Sequence, residues 1–330
     1  MVGAGAIGGY LGARLALADE DVTFIARGAN REAIGRSGFK LIEADGAERV
    51  VAGAKVEAIG EAGRFDVVLL AVKAQQVTAL AKDVGRLFGP ATSVVTLQNG
   101  VPWWFFHKFG GPYDGRPVES VDPQGVIAAH IAPERIIGAV VYPAAERVAP
   151  GVVRVIEGDR FTLGEPDGSK SDRVLAVSQA LVRAGFRAPV SSDIRAEIWL
   201  KLWGNLVFNP VSALTHATLV DICQFAPTRT LAATMMAEAQ IVADKLGVRP
   251  RVSIERRIAG AEAIGAHKTS MLQDVEAGRP LELTALVGSV VELARLTQTP
   301  TPAIDSIYAC ASLLAKILDE ASGRLAVHPN

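Results

Sequence analysis

GAGAIGGYLG, residues 3–12, sets three of its five glycines, Gly3, Gly5 and Gly8, in the spacing GxGxxG, and the Ala- and Leu-rich segment Ala13–Ala18 behind it reads as helix. At a strand-to-helix turn the first glycine of such a motif permits the tight bend. The second lets backbone approach a pyrophosphate, and the third lets helix and strand pack closely. The N-terminus of the helix that follows offers free N–H groups and a positive dipole end to the phosphates, and Ala6 and Ile7 within the motif join its glycines as cofactor-binding candidates. Glycine-rich turns are common, and the motif gains meaning only inside a strand–helix series. Only Met1 and Val2 precede Gly3, where a strand of about five residues is expected. The reading is a shortened N-terminus or a stub of a strand.

The required series is present. Asp21–Ala26 (DVTFIA) reads as strand, Arg31–Ser37 as helix, Phe65–Val72 (FDVVLLAV) as buried strand, Val77–Leu87 as amphipathic helix and Ser93–Leu97 as strand. Short, nearly continuous apolar strands alternating with helices make a parallel, doubly wound sheet. At the end of the second strand an NAD-selective site carries an acid for the ribose 2′-hydroxyl; here Arg27 stands, roughly 20 residues beyond the glycines. An arginine pairs bidentately with a 2′-phosphate, which favours NADPH as cofactor. The alternative is a solvated surface arginine.

Val152–Ile156 and Arg160–Leu163 read as antiparallel strands near the edge of this domain, closed by a helix over Ser171–Ala184 and a short strand near Phe186–Pro189. From about Asp193 the strand signal disappears. Segments near 193–209, 228–247, 251–277, 281–297 and 303–319 read as helices punctuated by prolines, with Gly278 as a helix end before Pro280. The expected architecture is an α/β Rossmann-type domain over 1–192 followed by an all-α domain over 193–330.

Composition removes several function classes. Lys plus Arg number 34 against 35 Asp plus Glu, so nothing favours nucleic acid or an anionic membrane as partner. There is no basic segment ahead of an apolar one at the start and no uncharged apolar span of about 20 residues, so a cytoplasmic location is expected. Cys223 and Cys310 lie in apolar surroundings without CxxC spacing and read as buried and reduced. The histidines, His107, His130, His216, His267 and His328, are scattered, so no metal is expected; His216 reads as a capping or packing residue.

Residues 197–210 read EIWLKLWGNLVFNP, with Lys201, Asn205 and Asn209 at i, i+4 and i+8. On a helix these fall within an arc of about 80°, on a segment otherwise rich in Trp, Leu, Val and Phe. Such a row is either a solvent stripe or the lining of a cleft. Asparagine is a poor helix former, and a plain solvent stripe more often carries Glu, Lys or Arg.

GAGAIGGYLG at the start, LQNG at 97–100, PGVVR at 150–154, the Lys/Asn/Asn helix and SMLQD at 270–274 together resemble the ketopantoate reductase family, in order and over nearly the whole chain. The resemblance implies a Rossmann domain followed by a helical domain. It implies reduction of 2-dehydropantoate to D-pantoate by NADPH, toward pantothenate and coenzyme A. It also implies roles. Lys201 would hydrogen-bond the keto oxygen and protonate it, and Asn205 and Asn209 would hold lysine and substrate. Ser270 would contact the substrate carboxylate, and Glu282, twelve residues further on, its hydroxyl. Asn99 would lie near nicotinamide and substrate, and Lys73 on the cofactor side. A lysine ammonium suits this chemistry, because hydride addition to a 2-oxo acid puts negative charge on the carbonyl oxygen.

One stretch departs from the family. Residues 101–125, VPWWFFHKFGGPYDGRPVESVDPQG, are longer than the pattern expects and carry Trp103, Trp104, Phe105 and Phe106. They could form a lid or wall of the substrate pocket, pack onto the first domain, or join subunits, since aromatics cluster in interfaces. A pocket wall would point to a different, bulkier 2-oxo acid. A third reading is a non-catalytic NADP(H)-binding regulator, against which Lys201 and Glu282 speak. A small-molecule 2-oxo acid is the expected partner, and a homodimer the default assembly.

Overall fold

A computed structural model describes residues 1–321; His328 lies outside the described residues. The chain forms two compact units. The first comprises Met1–Asn99, Trp103–Pro117 and Asp122–Ile194; the second comprises Gly100–Pro102, Val118–Val121 and the chain from Arg195 onward.

The first unit runs α1 (Ala6–Leu17), β1 (Thr23–Ile25), α2 (Gly28–Ser37), β2 (Phe39–Ile42), β3 (Glu48–Val51), β4 (Lys55–Glu57), β5 (Phe65–Leu70), α3 (Ala74–Gly85) and β6 (Phe88–Thr96). It continues with α4 (Val126–His130), β7 (Ile136–Val141), β8 (Ala144–Ala149), β9 (Val152–Glu157), β10 (Phe161–Gly164) and α5 (Asp172–Arg183). Val2 bridges Ile25 on one side and Leu70 on the other, both in parallel. It thereby joins β4-β1 to β5-β6-β7-β10 in one sheet that is parallel except for β10. The stub is fully bonded: Val2 N–H donates to Leu69 O and Ala71 N–H to Val2 O, both at 2.8 Å. The Met1 amine donates to Thr23 O at 2.8 Å, and burial pushes its pKa down to about 5.

A second sheet, β3-β2-β9-β8, differs from the sequence expectation. β9 does not sit at the edge of the main sheet; it pairs in parallel with β2 and antiparallel with β8. Both strands have the expected antiparallel neighbour, β9 in β8 and β10 in β7, but only β10 stands at the edge of the main sheet, and Phe186–Pro189 contributes to an isolated bridge, Arg160 to Arg187, rather than a strand. Helix α1 starts at Ala6 rather than Ala13 because its glycines are tolerated for contact. A Cβ at Gly9 would strike the Phe39 ring and lie 2.9 Å from Val153 Cγ2, so the second sheet packs directly on the helix backbone.

The aromatic stretch resolves into packing. Trp103, Trp104, Phe105 and Phe106 are all buried, at 5%, 1%, 0% and 1% exposure, and they belong to the first unit. Trp104 Nε1 donates to Thr96 Oγ1 at 3.1 Å, and Phe105, Phe106, Phe109 and Tyr113 form edge-on and tilted ring contacts. These rings fill a core, which removes the observation that pointed to a bulkier acid.

The second unit is helical: α6 (Ile194–Thr215, whose first residue belongs to the first unit), α7 (Leu219–Gln224), α8 (Ala226–Lys245), α9 (Ile254–Ile264), α10 (Ser270–Glu276), α11 (Ser289–Leu296) and α12 (Pro302–Glu320). The single helix expected over 251–277 is two. Gly265, at φ +85°, ends α9, and the Thr269 hydroxyl accepts Leu272 N–H at 3.2 Å to start α10. A π-helical turn, Thr284–Gly288, leads into α11. The buried Glu238 carboxylate on α8 accepts the N–H groups of Ala303 and Ile304 at 3.0 Å each, which caps α12 where Pro302 supplies no donor. Cys223 is buried, but Cys310 is exposed, contrary to the expectation of two buried thiols: apolar neighbours in sequence do not fix which side of a helix a residue takes. Among the described residues no helix is long and apolar enough to cross a membrane.

Candidate functional site

In the first unit the chain turns from the Val2 stub into α1 at the point where the sheet order reverses, the place where doubly wound sheets hold their ligands. A cavity of about 520 Å³ opens there, lined among others by Gly3, Ala4, Gly5, Arg27, Asn30 and Arg147. Backbone makes its floor. Gly3 adopts φ +96°, and a Cβ on Gly8 would overlap the Gly3 carbonyl oxygen. A Cβ on Gly5 would meet nothing within 4 Å. Gly5 also caps α1 without any side-chain hydrogen bond, so open space lies beside the helix start. That combination fits a pyrophosphate. Asn30 braces the loop: its Nδ2 donates to Ala4 O at 2.8 Å while its Oδ1 accepts Gly151 N–H at 2.7 Å.

The predicted cofactor residues divide around this cavity. Gly3, Gly5 and Arg27 line it; Ala6, Ile7 and Gly8 form the first turn of α1 behind it; Lys73 and Asn99 do not line it. Lys73 precedes α3, and Asn99 stands in the loop after β6. Gln98 ties these two loops together, its Nε2 donating to Leu70 O at 2.7 Å and Val72 O at 3.0 Å.

In the second unit Lys201, Asn205 and Asn209 lie on α6. Lys201 and Asn205 are half-buried and Asn209 is buried. Asn209 Nδ2 reaches Ser270 Oγ, at the start of α10, at 3.5 Å. Glu282 stands two residues before the π-helical turn and is close enough to Lys201 to influence its charge. Burial pushes the Lys201 ammonium down, the Glu282 carboxylate pulls it up, and the outcome is a pKa of about 8. Lys201 is therefore grouped with Glu282, and Asn209 with Ser270. A lysine so placed is largely protonated near neutrality yet gives up its proton far more readily than one in water.

Two family models cover most of the chain: "Ketopantoate reductase PanE/ApbA" matches residues 1–168 and "Ketopantoate reductase PanE/ApbA C terminal" matches residues 193–315. The chain belongs to the ketopantoate reductase family. Members of this family are NADPH-dependent oxidoreductases acting on a CH–OH group. A 2-dehydropantoate 2-reductase of Mesorhizobium japonicum is 54% identical over 317 residues, covering 95% of this chain and 96% of the relative. A Ralstonia solanacearum MolK2 structure, proposed to be a ketopantoate reductase, superposes with a TM-score of 0.91 at 42% identity over 96% of this chain and 97% of that one. A 2-dehydropantoate 2-reductase of Geobacter metallireducens superposes at 0.82 with 26% identity, over 94% and 98% of the two chains.

The ketopantoate reductase motifs do not mention every residue at the cofactor cavity. Asn30, Gln75, Gln76 and Arg147 line it as well. The two glutamines follow Lys73 and Ala74 in AVKAQQ, and a polar pair just beyond a lysine at a helix start is a signal the sequence does carry. Arg147 carries no local signal, because it enters from the second sheet.

Proposed function

We propose that this chain reduces 2-dehydropantoate to D-pantoate with NADPH, cofactor binding being the task of residues 1–192 and substrate binding and proton transfer that of residues 193–330. NADPH, when bound, supplies the hydride that adds to C2 of the 2-oxo acid. Lys201 Nζ donates a hydrogen bond to the keto oxygen, stabilises the negative charge that develops there and passes it a proton, completing the alcohol. Glu282 holds Lys201 charged until that moment and accepts a hydrogen bond from the substrate hydroxyl. Asn205 and Asn209 orient the lysine and the substrate, Ser270 meets the substrate carboxylate, and Asn99 and Lys73 serve the cofactor side.

The observation that carries this reading is the half-buried Lys201 beside Glu282, with its pKa brought to about 8; a protein that only sensed the cofactor would have no use for such a proton donor. The test is to mix the protein with NADPH and 2-dehydropantoate and monitor the near-ultraviolet absorbance of NADPH. A rapid loss that requires the keto acid is expected. No turnover of 2-dehydropantoate, with ready reduction of other 2-oxo acids, would overturn the substrate assignment.

A further inference from the structure

Arg147 sits on β8, one residue before a break in the ladder. Its partner across the hairpin is Val153, whereas Ala149 pairs with Val152, so Val148 is an extra residue bulged out of β8. Bulges bend a strand and re-aim the neighbouring side chain, and they concentrate beside functional sites. Directly paired residues of antiparallel strands point to the same face. Val153 is fully buried and its Cγ2 would lie 2.9 Å from a Cβ on Gly9 of α1. Arg147 therefore emerges on the α1 side of the hairpin. Its neighbour Glu146 takes the other face and is occupied by Arg154, with Nη1 to Oε1 at 2.8 Å.

The hairpin is also fixed to the end of the cavity where the ribose belongs. Its turn, at Gly151, donates to Asn30 Oδ1 at 2.7 Å, and Asn30 lies three residues beyond Arg27. The cavity lining contains two arginines, Arg27 and Arg147, and no carboxylate. Both side chains are exposed, and neither belongs to an ion pair of the described residues. Two cations from two different sheets thus meet one cavity with nothing of opposite charge to neutralise them, an arrangement that suits a dianion.

Resting on the NADPH reading of the same site, we propose that Arg147 is the second half of a 2′-phosphate clamp, gripping the phosphate from the second sheet while Arg27 grips it from the first. A pyrophosphate contact would serve NADH and NADPH alike; a 2′-phosphate contact serves NADPH alone.

The test is calorimetric binding to the purified chain of adenosine 2′,5′-bisphosphate, 5′-AMP, NADPH and NADH, for wild type, Arg147→Ala, Arg147→Lys and Arg27→Ala/Arg147→Ala, with thermal melting as the check on folding. Arg147→Ala is expected to weaken adenosine 2′,5′-bisphosphate and NADPH by about 5- to 20-fold, a charge-assisted bond at an exposed site. It should leave 5′-AMP and NADH within about 2-fold by the same arithmetic. Arg147→Lys, which keeps the charge and the stem, should retain most of the preference, and the double variant should bind NADPH and NADH alike. Equal weakening of all four ligands, or an undiminished preference for the 2′-phosphorylated pair in Arg147→Ala, overturns the proposal. Should Arg147→Ala not fold, Arg147→Gln carries the same comparison. A wild type that fails to prefer adenosine 2′,5′-bisphosphate over 5′-AMP counts against the NADPH reading itself, a result separate from any behaviour of the variants.

Discussion

Helices α1 and α6 each present a candidate binding surface, and they are built in opposite ways. At α1 the surface is made by leaving atoms out: Gly3, Gly5 and Gly8 bring bare backbone to the cavity, and a single methyl on Gly8 would overlap the Gly3 carbonyl oxygen. At α6 the surface is made by adding atoms to an apolar helix, Lys201, Asn205 and Asn209 standing among buried Trp199, Leu202, Trp203 and Leu206. A site of the first kind is broken by insertion and one of the second kind by truncation. The two should also fail separately, since the proposed function assigns the cofactor to one and the proton to the other.

Lys201→Ala gives the sharpest separation. Its kcat should fall by about 10²- to 10⁴-fold, the worth of a positioned general acid, while NADPH titration gives an unchanged Kd. The wild-type rate should decline as pH rises through about 8, because Lys201 is active only while it holds its proton and its pKa lies there. That alkaline limb should vanish in the variant. Near-normal kcat in Lys201→Ala would remove Lys201 as proton donor.

Arg27→Ala is the next largest. Losing a charge-assisted pair costs about 1.5–3 kcal/mol, roughly 10- to 150-fold in the KM for NADPH, with NADH little affected. Equal losses for both cofactors would show that Arg27 does not read the 2′-phosphate. Gly8→Ala probes the α1 floor by insertion: about 1–3 kcal/mol of stability, seen as a lower Tm, together with weaker binding of NADPH and NADH alike. If both cofactors bound normally, the comparison of α1 with α6 would lose its basis. The smallest effect on activity belongs to Trp104→Phe, which removes the bond to the buried Thr96 hydroxyl and should cost about 1–3 kcal/mol of stability without changing the order in which 2-oxo acids are reduced. A changed order would return the aromatic stretch to the substrate pocket.

What can be read from sequence tracks how local the physics is. The glycine turn and Arg27 announce themselves within one strand–turn–helix, because the backbone conformations and the charge are specified there. The Lys201, Asn205 and Asn209 row is visible because a helix converts spacing of four into one face. Ser270 and Glu282 have no such signature and stand out only through registration with the family pattern. The second sheet is invisible as a sheet: β2 and β3 are four residues each, and β3 is largely exposed, so neither carries the apolar run of a core strand. Trp103–Phe106 read as pocket wall, domain packing or subunit contact until Thr96 and the neighbouring rings are known. Arg147 looks like any exposed strand arginine; only the pairing of β8 with β9 shows which way it emerges.

The π-helical turn at Thr284–Gly288 acts as a phase shifter. Such a turn closes i to i+5 and so holds one residue more than an α-turn, which rotates the upstream chain by about 100° relative to the downstream helix. Downstream, Val290, Leu293 and Ala294 keep α11 buried; upstream, the direction of Glu282 is set independently of that packing. Deleting one residue from the turn would restore an unbroken helix, leave α11 seated, and swing Glu282 by more than a quarter of a revolution away from Lys201. The direction in which the backbone carries one carboxylate is thus tied to the length of the chain in that turn.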